Sequence, residues 1–368
     1  MPQPNDPSTH DDLISIDITL SALASGTATL TTILVLQDDV TPGGGRYASY
    51  ASALEVAADV TAGNLTATSQ AIADDMFGQA NAPASILFGQ VDLTSGSETA
   101  ATALDAVIAA GAQFYGVIYA SRTVARQAAL AVDIEAKADS GTYLLLALQD
   151  DDADWLTTGG IPSAWSSAAG FERTVMYFHD DNADDAASDR LDACAMADRL
   201  SWDPDETSAG WNHTVAQVDA LTTKLTQAQK AYARTNKANT ALPLGTRTST
   251  FVDPGQNLAG RPVDHVVSAD WLRARGSEAV ADLITSTSER GTKLTVDQQG
   301  QALVGGKLEG VFMLGVAVGH FLAYRLTPLA ITTADIAAQR VRFDGETQLA
   351  TGIRQVGISL YFDTDPIA

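Results

Sequence analysis

The sequence predicts an α/β (α+β) chain: an N-terminal α/β domain with a largely parallel sheet, then a C-terminal core domain, with an extended β-strand arm at each end. Three observations lead there. Between residues 29 and 179, short runs that are apolar on both faces alternate with segments of helical spacing, as in βαβ units whose sheet is covered on both sides. Beyond residue 260 the helical patterns are longer. Both ends of the sequence carry a segment of strict period two, the mark of a strand with one buried face.

In the first of these, LISIDITL, Ile14, Ile16, Ile18 and Leu20 share one face and Ser15, Asp17 and Thr19 the other, between polar HDD and SALASGTAT. TLTTILVLQ (29–37) reads as a buried strand, followed by the turn-rich DDVTPGGG. YASYASALEVAADV and LTATSQAIADDMFGQA have helical spacing, with Pro83 as the stop. The strands ASILFGQVD (84–92), FYGVIYAS (114–121) and GTYLLLALQ (141–149) alternate with the helices TAATALDAVIAAGA and RTVARQAALAVDIEAKA. A polar loop with Trp155 and Trp165 leads to the strand RTVMYFH (173–179). Residues 183–200 and 215–237 read as helices, and 241–262 as a loop or a pair of short strands. SADWLRARGSEAVADLITSTS is a long helix with Ser268 as its N-cap. LTVDQQGQALVGGKLEGVFMLGVAVGHF is helical but weakened by glycines, and TTADIAAQRV is a last helix. In the closing QVGISLYF, Val356, Ile358, Leu360 and Phe362 face one way and Gly357, Ser359 and Tyr361 the other.

At 368 residues the chain has room for about two domains. The patterning divides it into an N-terminal arm (1–24), α/β region (25–250), C-terminal core (251–354) and C-terminal arm (355–368). The single cysteine, Cys194, excludes a disulfide framework, and its neighbours Ala193, Ala195 and Met196 mark it as a buried structural thiol. The polar start MPQPNDPSTHDD has no apolar leader region, and the longest apolar run, Val311 to Val318, is short of the roughly 18 residues that span a bilayer. A soluble protein with no membrane insertion is expected. The net charge of −23 argues against nucleic acid as a partner. That charge is uneven: residues 1–200 hold 7 Lys and Arg against 28 Asp and Glu (net −21), and residues 201–368 hold 15 against 17 (net −2). One half is built to face water, and the other can approach a charged partner.

No constellation for catalysis emerges. Asp180, Asn182 and Asp184 have the spacing of a calcium loop, but Asp185 stands where glycine is needed and Leu191 where the closing glutamate belongs. That run and Asp150, Asp151 and Asp152 read as solvated loops. GGGRYA (43–48) lacks the third glycine of a dinucleotide fingerprint, and in LVGGKLEG Lys307 is followed by Leu308, with Gln301 at the first glycine of a phosphate loop. The histidines at 10, 179, 213, 265 and 320 have no metal-binding spacing. No cofactor or metal is expected, and no enzyme.

Several stretches together resemble one family, the sheath proteins of contractile phage tails and related injection machines. YASALEVAADVTAGNLTATSQAIADDMFGQANAPASILFGQVD is similar to the early part of such sheaths, and SAGWNHTVAQVDALTTKLTQAQKAYARTNKAN (208–239) to a second block. Asp270-Trp271-Leu272-Arg273-Ala274-Arg275 matches the family's "dWL.ar" helix, and TKLTVDQQGQALVGGKLEGVFMLG resembles the helix that follows. ADIAAQRVRFDGETQLATGIRQVGISLYF looks like the sheath ending, with Arg340, Gly352, Ile353, Val356 and Ile358 at matching places. The blocks occur in the family's order.

The resemblance implies a structural subunit. Copies would form six-fold rings stacked helically around a tail tube, bounded by baseplate and tail terminator proteins. Contraction would drive the tube through the host envelope for genome ejection. The arm residues Ile14, Ile16, Ile18, Leu20, Val356, Ile358, Leu360 and Phe362 would add strands to neighbouring subunits, which is β-augmentation. Residues 25–200 would lie outside, and 250–350 would line the inner wall, with Arg273, Arg275, Arg290, Lys293 and Lys307 as candidate tube contacts. The protein would be assembled in the host cytoplasm and end in the virion's contractile tail. Alternatives are a sheath of a non-viral system (tailocin, type VI secretion or extracellular injection particle) and, from another class, a cytosolic α/β enzyme.

Overall fold

The computed structural model describes residues 30–94, 97–179, 190–212, 214–216, 225–243 and 250–350. Its first strand, β1 (Ile33–Asp38), is followed by β2 (Tyr47–Tyr50), α1 (Ala53–Thr61), α2 (Ala67–Phe77) and β3 (Ile86–Val91). Then come α3 (Ala100–Ala109), β4 (Gly116–Tyr119), α4 (Val124–Asp139), β5 (Leu145–Asp150), β6 (Thr174–Phe178) and α5 (Leu191–Leu200). Reciprocal side-chain caps between Thr66 and Ser69, and between Thr99 and Thr102, open α2 and α3 by satisfying free backbone amides. The remaining elements are β7 (Thr214–Ala216), α6 (Gln227–Thr235), β8 (Ala238–Pro243), β9 (Thr250–Asp253), α7 (Val263–Glu289), α8 (Gln298–Ala317), β10 (Phe321–Pro328), α9 (Thr333–Ala337) and β11 (Phe343–Leu349).

Nine strands join one sheet in the order β2-β3-β1-β4-β5-β6-β8-β9-β7. The six from β3 to β8 run parallel, and antiparallel pairs flank them at both margins. Alternate residues of each strand enter different cores, which is why the strands read as continuously apolar. Ile33, Val35, Phe88, Ile118 and Val175 join one core with α1, α2 and α5 residues; Leu34, Leu36, Val117, Leu146 and Met176 join the other with α3 and α4 residues. The first core continues into the C-terminal region through Trp271, Phe312, Phe321 and Leu349. A small separate cluster of Val280, Leu283, Val304 and Leu308 holds α7 to α8.

The strands expected over 29–37, 84–92, 114–121, 141–149 and 173–179 are present, and for 241–262 the structure has the strand pair β8 and β9, with β8 starting earlier, at Ala238. Six local readings change. Residues 47–50 form an edge strand, because Tyr47 to Tyr50 pair with Gly89 to Ile86, so the helix begins only after Ser52. The second helix ends at Gly78, short of Pro83. Residues 214–216 pair with β9, so the helix expected over 215–237 does not begin there, and among the described residues of that stretch it is α6. α7 begins at Val263, and Ser268 lies buried inside it. β10 and β11, which pair antiparallel, fall where the helix–strand reading showed no strands. The expected helix over 332–341 shrinks to α9, opened by a reciprocal Thr332–Asp335 cap.

Candidate assembly surface

In an open parallel sheet the usual ligand crevice lies beyond the carboxyl ends of the strands. Here the chain's own side chains fill that place. Arg190 is buried and donates to the backbone oxygens of Ala120 (3.0 Å) and Tyr119 (3.2 Å), just past β4. It also holds both oxygens of buried Asp192, at 3.0 and 2.9 Å. Burial acts to raise the Asp192 carboxyl, but Arg190 and Arg122 outweigh it and keep the group below the usual carboxylate range. Asp38 accepts from the Tyr119 hydroxyl (2.7 Å) and Arg126 (2.8 Å). Asp150, expected in a solvated loop, is buried because it accepts from the indoles of Trp155 (2.9 Å) and Trp165 (2.6 Å). Cys194 is buried on α5.

The D-W-L-R-A-R stretch of α7 faces inward in the same way. Asp270 accepts from Arg173 through both nitrogens of its fork, from the Tyr115 hydroxyl (2.8 Å) and from Arg273 (3.0 Å). The Arg173 and Arg273 guanidiniums both lie over the Tyr143 ring, 5.0 and 4.8 Å from its centre. Burial first, then the Asp270 charge, pushes the Tyr115 hydroxyl well above its ordinary range. Asp205 accepts from the Trp271 indole (2.7 Å) and Arg275 (2.8 Å), and Arg275 also meets Glu278 at 2.7 Å. Arg273 and Arg275 thus serve contacts inside the subunit. Arg290 and Lys293 are exposed around the α7–α8 turn, and Lys307 is exposed on α8 with Asp282 3.4 Å away.

The eight arm residues named from the sequence lie outside the described residues, but the roots of both arms are described. Leu30 lines a small cavity with Trp202, Trp211 and His320. At the other end, the Ala350 amide donates to the His320 backbone oxygen at 3.0 Å. Leu30 and Ala350, the first and last of the described residues, therefore lie at one corner of the molecule. His320 anchors that corner: its ring stacks on Trp271 at 4.5 Å, Nε2–H donates to Pro204 O (2.8 Å), and Nδ1 accepts from the Ser268 hydroxyl (2.8 Å). The acceptor-only carbonyl sets this tautomer.

Beside the corner, β10 and β11 pair only with each other among the described residues, so their two-stranded sheet has two open edges. It is held onto α8 by Phe312, which stacks on Tyr324 at 5.1 Å and touches Phe321. Gly315 permits this packing, since a Cβ there would sit 2.4 Å from the Phe321 ring. The opposite side of α8 exposes Leu303, Met313 and Leu314, with Val316 exposed on the flank and Leu322 next to the helix's C-terminal end. Sequence reading missed this surface, because α8's apolar residues surround the helix and do not mark which side is bare.

No protein-family model matches the chain, and no curated protein matches it in sequence. Solved structures do match. A chain of the anti-feeding prophage (AFP) baseplate, solved with six-fold symmetry, aligns with TM-score 0.63 at 12% identity, covering 99% of both chains. The contracted AFP helical sheath aligns with TM-score 0.58 at 13% identity, over 99% of this chain and 98% of that one. A sheath tail protein from Listeria innocua gives TM-score 0.60 at 9% identity, over 89% of this chain and 96% of that one. The chain has the fold of the contractile tail sheath proteins.

Proposed function

We propose that this chain is the sheath subunit of a contractile injection machine, a structural protein and not an enzyme. The carrying observation is the likeness, over nearly the whole of both chains, to a contracted helical sheath. The corner where the described residues begin and end, beside a two-stranded sheet with open edges, supports the same reading. An arm carrying four apolar residues on one face can extend such a sheet, with backbone hydrogen bonds for affinity and alternation for register. Copies then assemble as six-fold rings around a tail tube, bounded by baseplate and terminator proteins. The rearrangement of subunit contacts does the work, which asks for no nucleotide or metal. Residues 250–350 form the inner wall, with Arg290, Lys293 and Lys307 as the tube contacts, and 25–200 the outer layer. The particle is a virion tail; capsid and terminase genes beside the coding gene would support that assignment, and their absence would favour a non-viral machine.

Negative-stain microscopy of the expressed protein tests the reading. Hollow, transversely striated cylinders are expected. A monodisperse small oligomer that never forms cylinders, with or without tubes, overturns it.

A further inference from the structure

The bare side of α8 is complementary to itself. Val304, Leu308 and Phe312 form the buried spine of the helix. The opposite face exposes a stripe of Leu303, Gly306, Gly310 and Met313, with Lys307 at one margin and Glu309 at the other. These six residues fall in pairs equally far from Leu308 along the sequence: Leu303 with Met313, Gly306 with Gly310, and Lys307 with Glu309. At 3.6 residues per turn, the members of each pair also lie at equal and opposite angles about the middle of the exposed face.

A two-fold axis through that middle, level with Leu308, lays a second α8 antiparallel on the first and sets each residue against the other member of its pair. Leu303 meets Met313 of the second copy, Gly306 meets Gly310, and Lys307 meets Glu309. Apolar faces apolar, small faces small and cation faces anion, each twice. Within the subunit Lys307 reaches only exposed Asp282, at 3.4 Å, and Glu309 accepts from the Tyr324 hydroxyl. The ammonium has three donors and the carboxylate two oxygens, so both can take a further partner. The glycines point the same way. A Cβ at Gly306 or Gly310 would meet nothing within 4 Å, unlike one at Gly305 or Gly315. The subunit's own packing does not require those two glycines, which weaken a helix but let a second backbone come close.

We infer that, outside any larger assembly, two copies of this chain associate through α8 packed antiparallel on α8, about a two-fold axis at Leu308. This rests on the self-complementarity of the helix and not on the sheath reading. Even the whole of α8, about 30 Å long and 10 Å wide, covers less than the roughly 800 Å² per partner of a standard interface. The pair is therefore weak and reversible. A two-fold contact closes on itself, whereas rings are built from head-to-tail contacts. On the sheath reading the pair has to open before its copies enter a ring.

Cysteine pairing on full-length chains tests the register. Leu303→Cys and Met313→Cys chains are expected to give a disulfide-linked dimer when mixed and oxidised, and neither chain does so alone. Like positions would lie about 15 Å apart along the axis, beyond the roughly 7 Å between Cα atoms that a disulfide spans. Cys194 is buried and does not compete. Sedimentation velocity, which separates slow species from cylinders, gives the second readout. Lys307→Glu sets like charges together at two places and weakens the dimer about 3- to 10-fold at low salt. Glu309→Lys does the same, and the chain carrying both substitutions regains the parent's affinity. Gly306→Gln with Gly310→Gln abolishes the dimer without lowering the melting temperature, because both side chains enter open space. A disulfide from the Leu303→Cys chain alone would mean a different register. A mixed disulfide found only in cylinders, or only with tubes present, would assign the stripe to a sheath neighbour or to the tube. Either result overturns the inference, as does a doubly reversed chain no tighter than the single ones, or a slow fraction without dimer. The presence or absence of cylinders bears only on the sheath reading.

Discussion

Asp270 is where α7 is fastened to the sheet, since a single buried carboxylate takes both nitrogens of the Arg173 fork, the Tyr115 hydroxyl and Arg273. Replacing it with Ala leaves a buried guanidinium without its counter-charge, at a cost of about 3–5 kcal/mol. Urea unfolding of the Asp270→Ala chain should show that loss; an unchanged midpoint would mean that the network does not hold α7. His320 sets a pH dependence. Burial, working against the Pro204 hydrogen bond and the Asp205 charge, lowers its pKa from 6.5. Its folded form therefore prefers to be neutral. As pH falls below about 6.5, the unfolded chain binds a proton that the folded chain refuses, so stability falls until the lowered folded value is passed. The Ser268 hydroxyl bonds to that ring, the Asp205 charge acts on it, and Asp264, Arg199, Thr207 and Ser208 line the cavity beside it. Melting temperatures measured between pH 8 and 5 should fall more steeply for the parent than for His320→Gln; parallel curves would clear His320 of the effect.

Among the elements, the two-stranded β10–β11 sheet is the least self-sufficient, because an isolated pair of strands is marginal in water and gains by adding neighbours. Each arm offers four large apolar residues, worth about 1.5–3 kcal/mol apiece when fully buried. Deleting residues 355–368 should therefore yield folded subunits that do not polymerise, seen as a normal melting curve with no cylinders. Long sheaths from the shortened chain would show that strand exchange does not use this segment. Removing residues 1–20 should likewise abolish assembly while barely moving the melting temperature, and collapse of the subunit would mean that Ile14 to Leu20 pair internally.

Over the whole molecule, charge is the organising asymmetry, with −21 on residues 1–200 and −2 on the rest. Six copies of the acidic half packed round an axis would crowd like charge, whereas an outer surface offers solvent and counterions. Contacts to the tube must release on contraction, and screened ion pairs of about 0.2–1 kcal/mol suit that task. Arg273 and Arg275 have acidic partners within the subunit and Lys307 has Asp282 3.4 Å away on an exposed surface, so the proposed tube contacts are the exposed Arg290 and Lys293, with Lys307 beside them. Reversing Lys293 and Lys307 to Glu should give sheaths that assemble poorly on tubes or only as empty contracted cylinders. Normal extended tails from that chain, or a reconstruction with residues 84–180 against the tube, would sink this orientation.

By itself the sequence determined the parallel α/β body, because periods of two and 3.6 and the apolar runs of β1, β3, β4, β5 and β6 are local properties. It also determined the charge asymmetry and the two period-two end segments, which depend on composition and spacing alone. Only the tertiary structure decided which polar groups are buried. Asp150 is acidic in a run of acids and looks solvated until two indoles, five and fifteen residues away, close over it. Asp270 and Arg173 stand 97 residues apart, and nothing local joins them. Strand pairing is non-local in the same way: Tyr47 to Tyr50 and the polar, glycine-bearing FDGETQL of β11 become strands because an edge is there to receive them. The bare stripe of α8 follows the same rule, since a helix apolar all round has its buried side chosen by what packs against it.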